Sequence, residues 1–383
     1  MTNYKFWKKI AARMKLWLIS YSIVLFLVGY KIFVKIFQKN LSNNIVTVLV
    51  PNKFEMGESG ANGSNKDIES MLEELHNNGI KFIVLRISRN PYFAIYEIIF
   101  KLKLINQLLL SRYILISIPG SISKLLFVLR LICRAKITVR THNAEFFHRL
   151  DYLRLTKKFW RKVNFLLMSF QGLFSDFAIT FFADSLLCIN DYEIDFYWNK
   201  LNPFMKKRFV FFPYKPPAWI RRNNSERKNA LILGSFDNNT LTGKPTKEFL
   251  SAAYSLNLFA DRNNLELVSV GNFLNSSFNY KYLDSTDNLL DFLNSTKVLI
   301  IPSEHGWGFK TKIGDALFLN QEVIVVRQLY NKCGMWKNYL IAIDDWSKID
   351  TVKIGKNVNN YSLIGDINRC RTNSILSVFS KNH

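Results

Sequence analysis

The stretch Ser303–Val326, SEHGWGFKTKIGDALFLNQEVIVV, sets a glycine-bearing turn and two lysines between two apolar runs. KVLIIP precedes the turn and EVIVV ends the stretch; both are short and rich in β-branched residues, as buried strands are. Between them TKIGDALFLN puts Ile313, Ala316 and Leu317 at helical spacing. Strand, loop, helix and strand in this order form a parallel α/β unit. Ligands of such sheets gather at the carboxyl ends of strands, where the next helix presents its unpaired amides. Lys310 and Lys312 fall in the first helical turn, where the positive end of the helix dipole opposes cations. A bound anion resolves that conflict. An ordinary turn with an i, i+3 pair between Lys312 and Asp315 resolves it equally well.

The same rhythm extends in both directions. NIVTVLV from Asn44, IKFIVLRIS, YILISI and KITVRT read as strands, with a helix at DIESMLEELHNN and apolar helical stretches around Tyr92–Leu110 and Ser121–Cys133. A basic, aromatic helical stretch follows, LRLTKKFWRKVNFLLMSFQGLF, and then strands at SLLCIN and RFVFFPY. KPPAWIRRNNSERKN, Lys215–Asn229, carries Pro216 and Pro217 and reads as a domain link. A second series begins beyond it: ALILGS, a helix near TKEFLSAAYSLNLF, LELVSVG, DNLLDFLN and the opening stretch. The expected fold is α/β, with two Rossmann-like doubly wound domains at 44–215 and 228–365 and a tail at 366–383.

The 383 residues carry a formal charge of +23, and residues 1–40 hold eight lysines and arginines and no acid. That balance implies an anionic partner. Within the basic segment Leu16–Tyr30, LWLISYSIVLFLVGY, is free of charge. As a helix it covers about 22 Å, against roughly 30 Å of bilayer hydrocarbon. Snorkelling of Lys31 extends the run to Val34, and no small-residue cleavage site follows it. Residues 1–40 therefore read as an uncleaved anchor that spans the membrane or lies in its interface. Cys133, Cys188, Cys333 and Cys370 form no C-x-x-C pair, and the five histidines have no H-E-x-x-H spacing. No structural metal is expected.

Three stretches resemble the GT-B glycosyltransferases, and among them the large retaining group often called glycosyltransferase family 4. GWGFKTKIGDALFLNQEVIVV is similar to their loop G-x-G-x-[RK]-x-K-[IV]-x-E-A with its following strand. RTHNAEFFHR resembles their R-x-H-N-x-E segment, and FADSLLCINDYEIDFY resembles the strand before their interdomain link. The likeness spans most of residues 44–330. It implies a nucleotide-sugar donor, held mainly by the C-terminal domain without a metal or a further cofactor.

In that likeness the donor diphosphate lies on Gly306, Trp307, Gly308, Phe309, Lys310 and Lys312, and Asp315 takes the place of the glutamate that grips the ribose. His142 stands as the catalytic or sugar-contacting residue. Gly60, Ala61, Gly63, Arg140, Asn143, Glu145, Gly234, Ser235 and His305 complete the cleft for donor and acceptor. Two departures stand out: after the first C-domain strand the family's arginine is missing and Lys244 is offset, and Trp307 falls where a glutamate is frequent.

Cations interleaved with aromatics in the anchor and in RLTKKFWRKVNFLLMSF suit an anionic membrane surface. The implied acceptor is a lipid-linked or other glycan of a cell-surface polysaccharide or glycolipid, met on the cytoplasmic side. Two other readings remain at this stage. A GT-B nucleotide-sugar epimerase shares the fold but needs no membrane. A nonenzymatic basic protein binding membrane or nucleic acid shares the charge, although no recognised nucleic-acid motif occurs and nucleic acid is not an expected partner.

Overall fold

The computed structural model describes residues 43–57, 62–118, 122–142, 144–157, 159–201, 203–204, 209–222, 227–233, 247–270, 281–283, 289–303, 310–355 and 360–379. The expected anchor at 1–40 lies outside the described residues, as do Gly60, Ala61, Asn143, Gly234, Ser235, His305, Gly306, Trp307, Gly308 and Phe309.

The N-terminal domain runs β1 (Asn43–Pro51), α1 (Gly63–Asn77), β2 (Phe82–Ile87), α2 (Pro91–Phe100), α3 (Leu102–Leu110), β3 (Ser111–Ile116), α4 (Ser123–Ile132), β4 (Lys136–Thr141), α5 (Glu145–Leu155), α6 (Phe159–Phe182), β5 (Ser185–Cys188) and β6 (Phe209–Phe211). Its strands are all parallel in the order β2-β1-β3-β4-β5-β6. The apolar runs explain the layering, because successive strand side chains point to opposite faces. Val46, Val48 and Val50 of β1 pack with Ile68 and Leu75 of α1. Leu49 enters the other core, with Ile95, Leu125 and Ile179 from α2, α4 and α6. Both faces are covered, as a parallel sheet requires.

The C-terminal domain runs β7 (Asn229–Leu233), α7 (Ala253–Arg262), β8 (Glu266–Val270), β9 (Lys281–Leu283), α8 (Leu289–Asn294), β10 (Thr296–Ile301), α9 (Thr311–Phe318), β11 (Glu322–Val326) and β12 (Ile341–Ile343). Its order is β12-β11-β10-β7-β8-β9, again parallel throughout. The edge strands β9 and β12 are three residues each, too short to leave a periodic trace in the sequence.

Two local differences from the sequence expectation matter. The first helix begins at Gly63, with Asn62 as N-cap accepting from the amide of Asn65 at 3.0 Å. Capping by a short polar side chain starts the helix before its apolar periodicity does, and it moves Lys66 from loop into helix. The described part of the expected tail, 366–379, in turn, belongs to a helix, α10 (Tyr361–Phe379). It returns to the N-terminal domain, where Ile375 and Phe379 join the core beneath α1 and the Phe379 ring meets Tyr113 edge-on at 5.6 Å.

Candidate active site

Each sheet changes winding direction once, between β1 and β3 in the first domain and between β7 and β10 in the second. Ligand crevices of doubly wound sheets open at such points. The helices that follow β1 and β10 are α1 and α9, and their N-termini meet. A Cβ placed on Gly63 would lie 2.5 Å from Thr311 Oγ1, so glycine is what permits the approach. A further set of contacts joins the domains: Asn190 donates to the carbonyl of Lys332 at 2.7 Å and Asp191 accepts from the amide of Met335 at 3.2 Å. Gly334 between them has φ +52°, and a Cβ there would overlap the Asp191 carboxylate.

Three lysines gather where the helix ends face each other. Lys66 comes from α1, Lys310 caps α9, and Lys312 lies in its first turn. Burial, and after it the charges of Lys310 and Lys66, bring the Lys312 ammonium down to about 7. Lys310 is also lowered, by burial first and by Lys332, with Asp151 opposing. Two positive helix termini and three clustered cations are an arrangement whose charge an anion would complement.

Asp315 lies one turn further along α9 and is 2 % exposed. Lys66 donates to its Oδ2, and the Tyr214 hydroxyl donates to its Oδ1 at 2.7 Å. Burial and the Asp315 charge raise the Tyr214 phenol far above its ordinary range, so it remains a donor. Among the described residues no ion pair joins Lys312 to Asp315 within 4.0 Å; the Asp315 carboxylate ties the C-terminal domain to Lys66 and Tyr214 of the N-terminal one.

The second cluster surrounds His142, just beyond β4. Arg140 and His142 alternate with Thr141 and point to one face of the sheet, where α1 presents Asp67. Arg140 grips Asp67 with Nε to Oδ2 at 2.8 Å and Nη2 to Oδ1 at 2.7 Å, both side chains being fully buried. It also donates to the carbonyl of Phe212 and stacks on that ring at 4.8 Å. Arg371 of α10 lies over the same ring at 4.1 Å and bonds to Glu74, Ser70 and the carbonyl of Pro213. Burial alone would raise the Asp67 carboxyl; Arg140, with His142 and Arg371, more than reverses this and holds it below its usual range.

His142 Nδ1 lies 3.6 Å from Asp67 Oδ2, and Nε2 lies 3.4 Å from Ser117 Oγ. Burial lowers the imidazole to about 4, Asp67 opposing and Arg140 and Arg89 adding to it. His142 is therefore neutral at pH 7 and suited to hydrogen bonding. It lines a small hollow of about 30 Å³ with Thr141, Glu145, Asp176 and Trp198, room for about one water. Glu145 opens α5 and pairs with Arg149 at 3.4 Å. Burial raises Asp176 to about 7, while the Phe146 amide at 3.1 Å and the Tyr197 hydroxyl at 2.8 Å favour its charged form.

No protein-family model and no curated protein sequence matches the chain. Among solved structures it is similar to sucrose-phosphate synthase from Thermosynechococcus elongatus, at 12% identity and TM-score 0.53, over 88% of this chain and 95% of that one. It is also similar to HepE from Anabaena, solved with UDP and glucose, at 10% identity and TM-score 0.50, over 88% and 95% of the two chains. These likenesses span both parallel sheets. The chain has the GT-B fold.

On the GT-B scaffold, the structure joins the expected Lys310, Lys312, Asp315 and Gly63 at one domain junction and sets Arg140, His142 and Glu145 about the end of β4. Sequence reasoning missed Lys66, Asp67, Asp176 and Tyr214. A signal existed for Lys66: in GANGSNK it follows a glycine-bearing loop after a strand, the same cation-against-dipole conflict that marks Lys310 and Lys312. Asp67 and Tyr214 carry no local mark.

Proposed function

We propose that the chain is a membrane-associated, metal-independent glycosyltransferase. It moves a sugar from a nucleotide-sugar donor to a glycan acceptor carried on lipid, retaining the anomeric configuration, in cell-surface polysaccharide or glycolipid synthesis on the cytoplasmic side. The observation that carries this reading is the convergence of Lys66, Lys310, Lys312 and Asp315, from both GT-B domains, on two facing helix N-termini. A nucleoside diphosphate bearing a sugar answers each part of that junction: phosphates for the cations, ribose hydroxyls for the carboxylate. HepE, with UDP and glucose bound, supports a ligand of this class on this fold.

In the reaction the acceptor hydroxyl oxygen bonds to the anomeric carbon and the bond from that carbon to the diphosphate oxygen breaks. The hydroxyl proton passes to the departing diphosphate. Negative charge grows on the leaving group, so the lysines and the α9 amides stabilise the transition state more than the ground state. Donor binding exchanges the partners of one ion pair: Lys66 turns from Asp315 to the diphosphate, and Asp315, still oriented by Tyr214, accepts the ribose hydroxyls. The missing family arginine is thereby replaced from the opposite domain. His142, neutral and backed by Asp67, bonds to a sugar hydroxyl.

The test uses membranes bearing the full chain and a panel of radiolabelled nucleotide sugars, with label followed into the lipid fraction. One donor is expected to give transfer, and its nucleoside diphosphate is expected to raise the melting temperature of the detergent-solubilised protein. If UDP, GDP, ADP and dTDP all leave that temperature unchanged while DNA raises it, the enzyme reading fails.

A further inference from the structure

Helix α6 is built inside out. Its buried stripe holds Ser169, Gly172, Ser175, Asp176, Ile179 and Thr180, while the side facing solvent carries Trp160, Phe170, Phe174, Phe177 and Phe181. A water-facing helix has the reverse pattern. The small residues serve close packing: a Cβ on Gly172 would come within 3.1 Å of the α5 backbone at Glu145 and Phe146. Trp160 and Phe174 are 79 % and 72 % exposed.

The apolar surface does not stop at α6. Phe127 of α4 is exposed and meets Phe182 at 5.5 Å, and Lys124 of α4 lies 4.1 Å over the Tyr92 ring of α2. Phe93, Tyr96 and Phe100 of α2 are exposed in turn. Three helices that share one core layer thus present one aromatic face. Contiguous faces of this size mark interaction sites.

We propose that this α2–α4–α6 face lies flat on an anionic lipid bilayer, with its aromatics in the headgroup and acyl boundary. Charge selects the occupant. The helices bring Lys124, Arg161 and Lys162, whereas Arg130 is paired with Asp184 and the acids Glu97 and Asp176 turn to internal partners. A second copy would set these cations against themselves, and residues 1–40, with eight cations and no acid, would do the same. Anionic headgroups complement the charge while acyl chains take the aromatics. The 24 residues of α6 are long and apolar enough to cross a membrane, but its buried stripe is fixed to the domain core, so the helix rests on the bilayer rather than passing through it. This inference deepens the membrane-associated part of the proposed function.

The test reads depth rather than transfer, so it holds or fails whether or not the chain transfers sugar. Full-length protein is spin-labelled at Phe174→Cys, at Phe100→Cys and, as a reference in the other domain, at Tyr254→Cys. All three sites are exposed, and an unsubstituted control corrects for half-buried Cys370. On vesicles of phosphatidylcholine and phosphatidylglycerol, labels 174 and 100 are expected to become more accessible to oxygen than to a nickel chelate. Label 254 is expected to keep the aqueous order. The proposal is overturned if labels 174 and 100 stay as accessible to nickel as label 254 on vesicle-bound protein, if only label 174 inserts, or if labels 174 of two copies broaden each other with or without lipid.

Discussion

The two clusters at the domain junction are made from the same residue types and solve opposite problems. Around Asp67 the charges are matched and sealed: Arg140 and Arg371 both stack on Phe212, and each guanidinium spends its donors on a carboxylate and on main-chain carbonyls. Around Lys312, burial and then the charges of Lys310 and Lys66, from both domains, lower one ammonium at two helix N-termini. A matched cluster holds the N-terminal domain rigid beneath His142. A crowded positive cluster stores electrostatic energy that an anion releases. The difference teaches which side of the junction is framework and which, in the proposed function, receives the ligand.

Arg140→Met would break the contrast most severely. It leaves the fully buried Asp67 without its guanidinium, which costs about 3–5 kcal/mol of stability. A fall of that order in the unfolding free energy from urea titration, with a lower midpoint, is expected; an unchanged midpoint would show that the matched cluster is not framework. Lys312→Ala should do the reverse. Removing a group that acts on charge in the transition state costs about 100-fold or more in kcat, with circular dichroism and melting temperature unchanged. Wild-type turnover in this variant removes the proposed phosphate seat.

Tyr214→Phe joins the two clusters, because its hydroxyl reaches Asp315 from the segment after β6. Losing one hydrogen bond to a charged group costs about 1.5–3 kcal/mol, and the loss should appear as weaker nucleoside diphosphate affinity in calorimetry.

The smallest effect is in pH. Lys312 is lowered to about 7 in the free protein, by burial and then by its lysine neighbours, and a bound diphosphate favours its protonated form. Binding therefore takes up a proton above pH 7. Affinity should be flat below pH 7 and should weaken above it by up to about tenfold per pH unit, a change of roughly 1.4 kcal/mol. Affinity that rises with pH would mean that Lys312 does not face the anion.

Much of the fold was legible in one dimension. Strand runs such as EVIVV coincide with β11, Glu322–Val326, because a strand buried on both faces is apolar along nearly all of its length. The glycine turn and lysines of the opening stretch also pointed to a sheet edge. The return of α10 to the first domain was not legible, nor was the start of α1 at Gly63, since one depends on long-range packing and the other on a single cap.

By itself, then, the sequence determined the α/β rhythm, the tandem of two domains and the lysine conflict at the head of α9, all of which rest on neighbours within a few residues. Only the tertiary structure decided that Asp67 holds Arg140 across 73 positions, that Lys66 reaches Asp315 across 249, and that the aromatics of α6 face outward. Periodicity reports which residues share a face of one element. It carries no information about which face the sheet covers or which charge arrives from the other domain, because those are set when distant strands pair and bury one side of each helix.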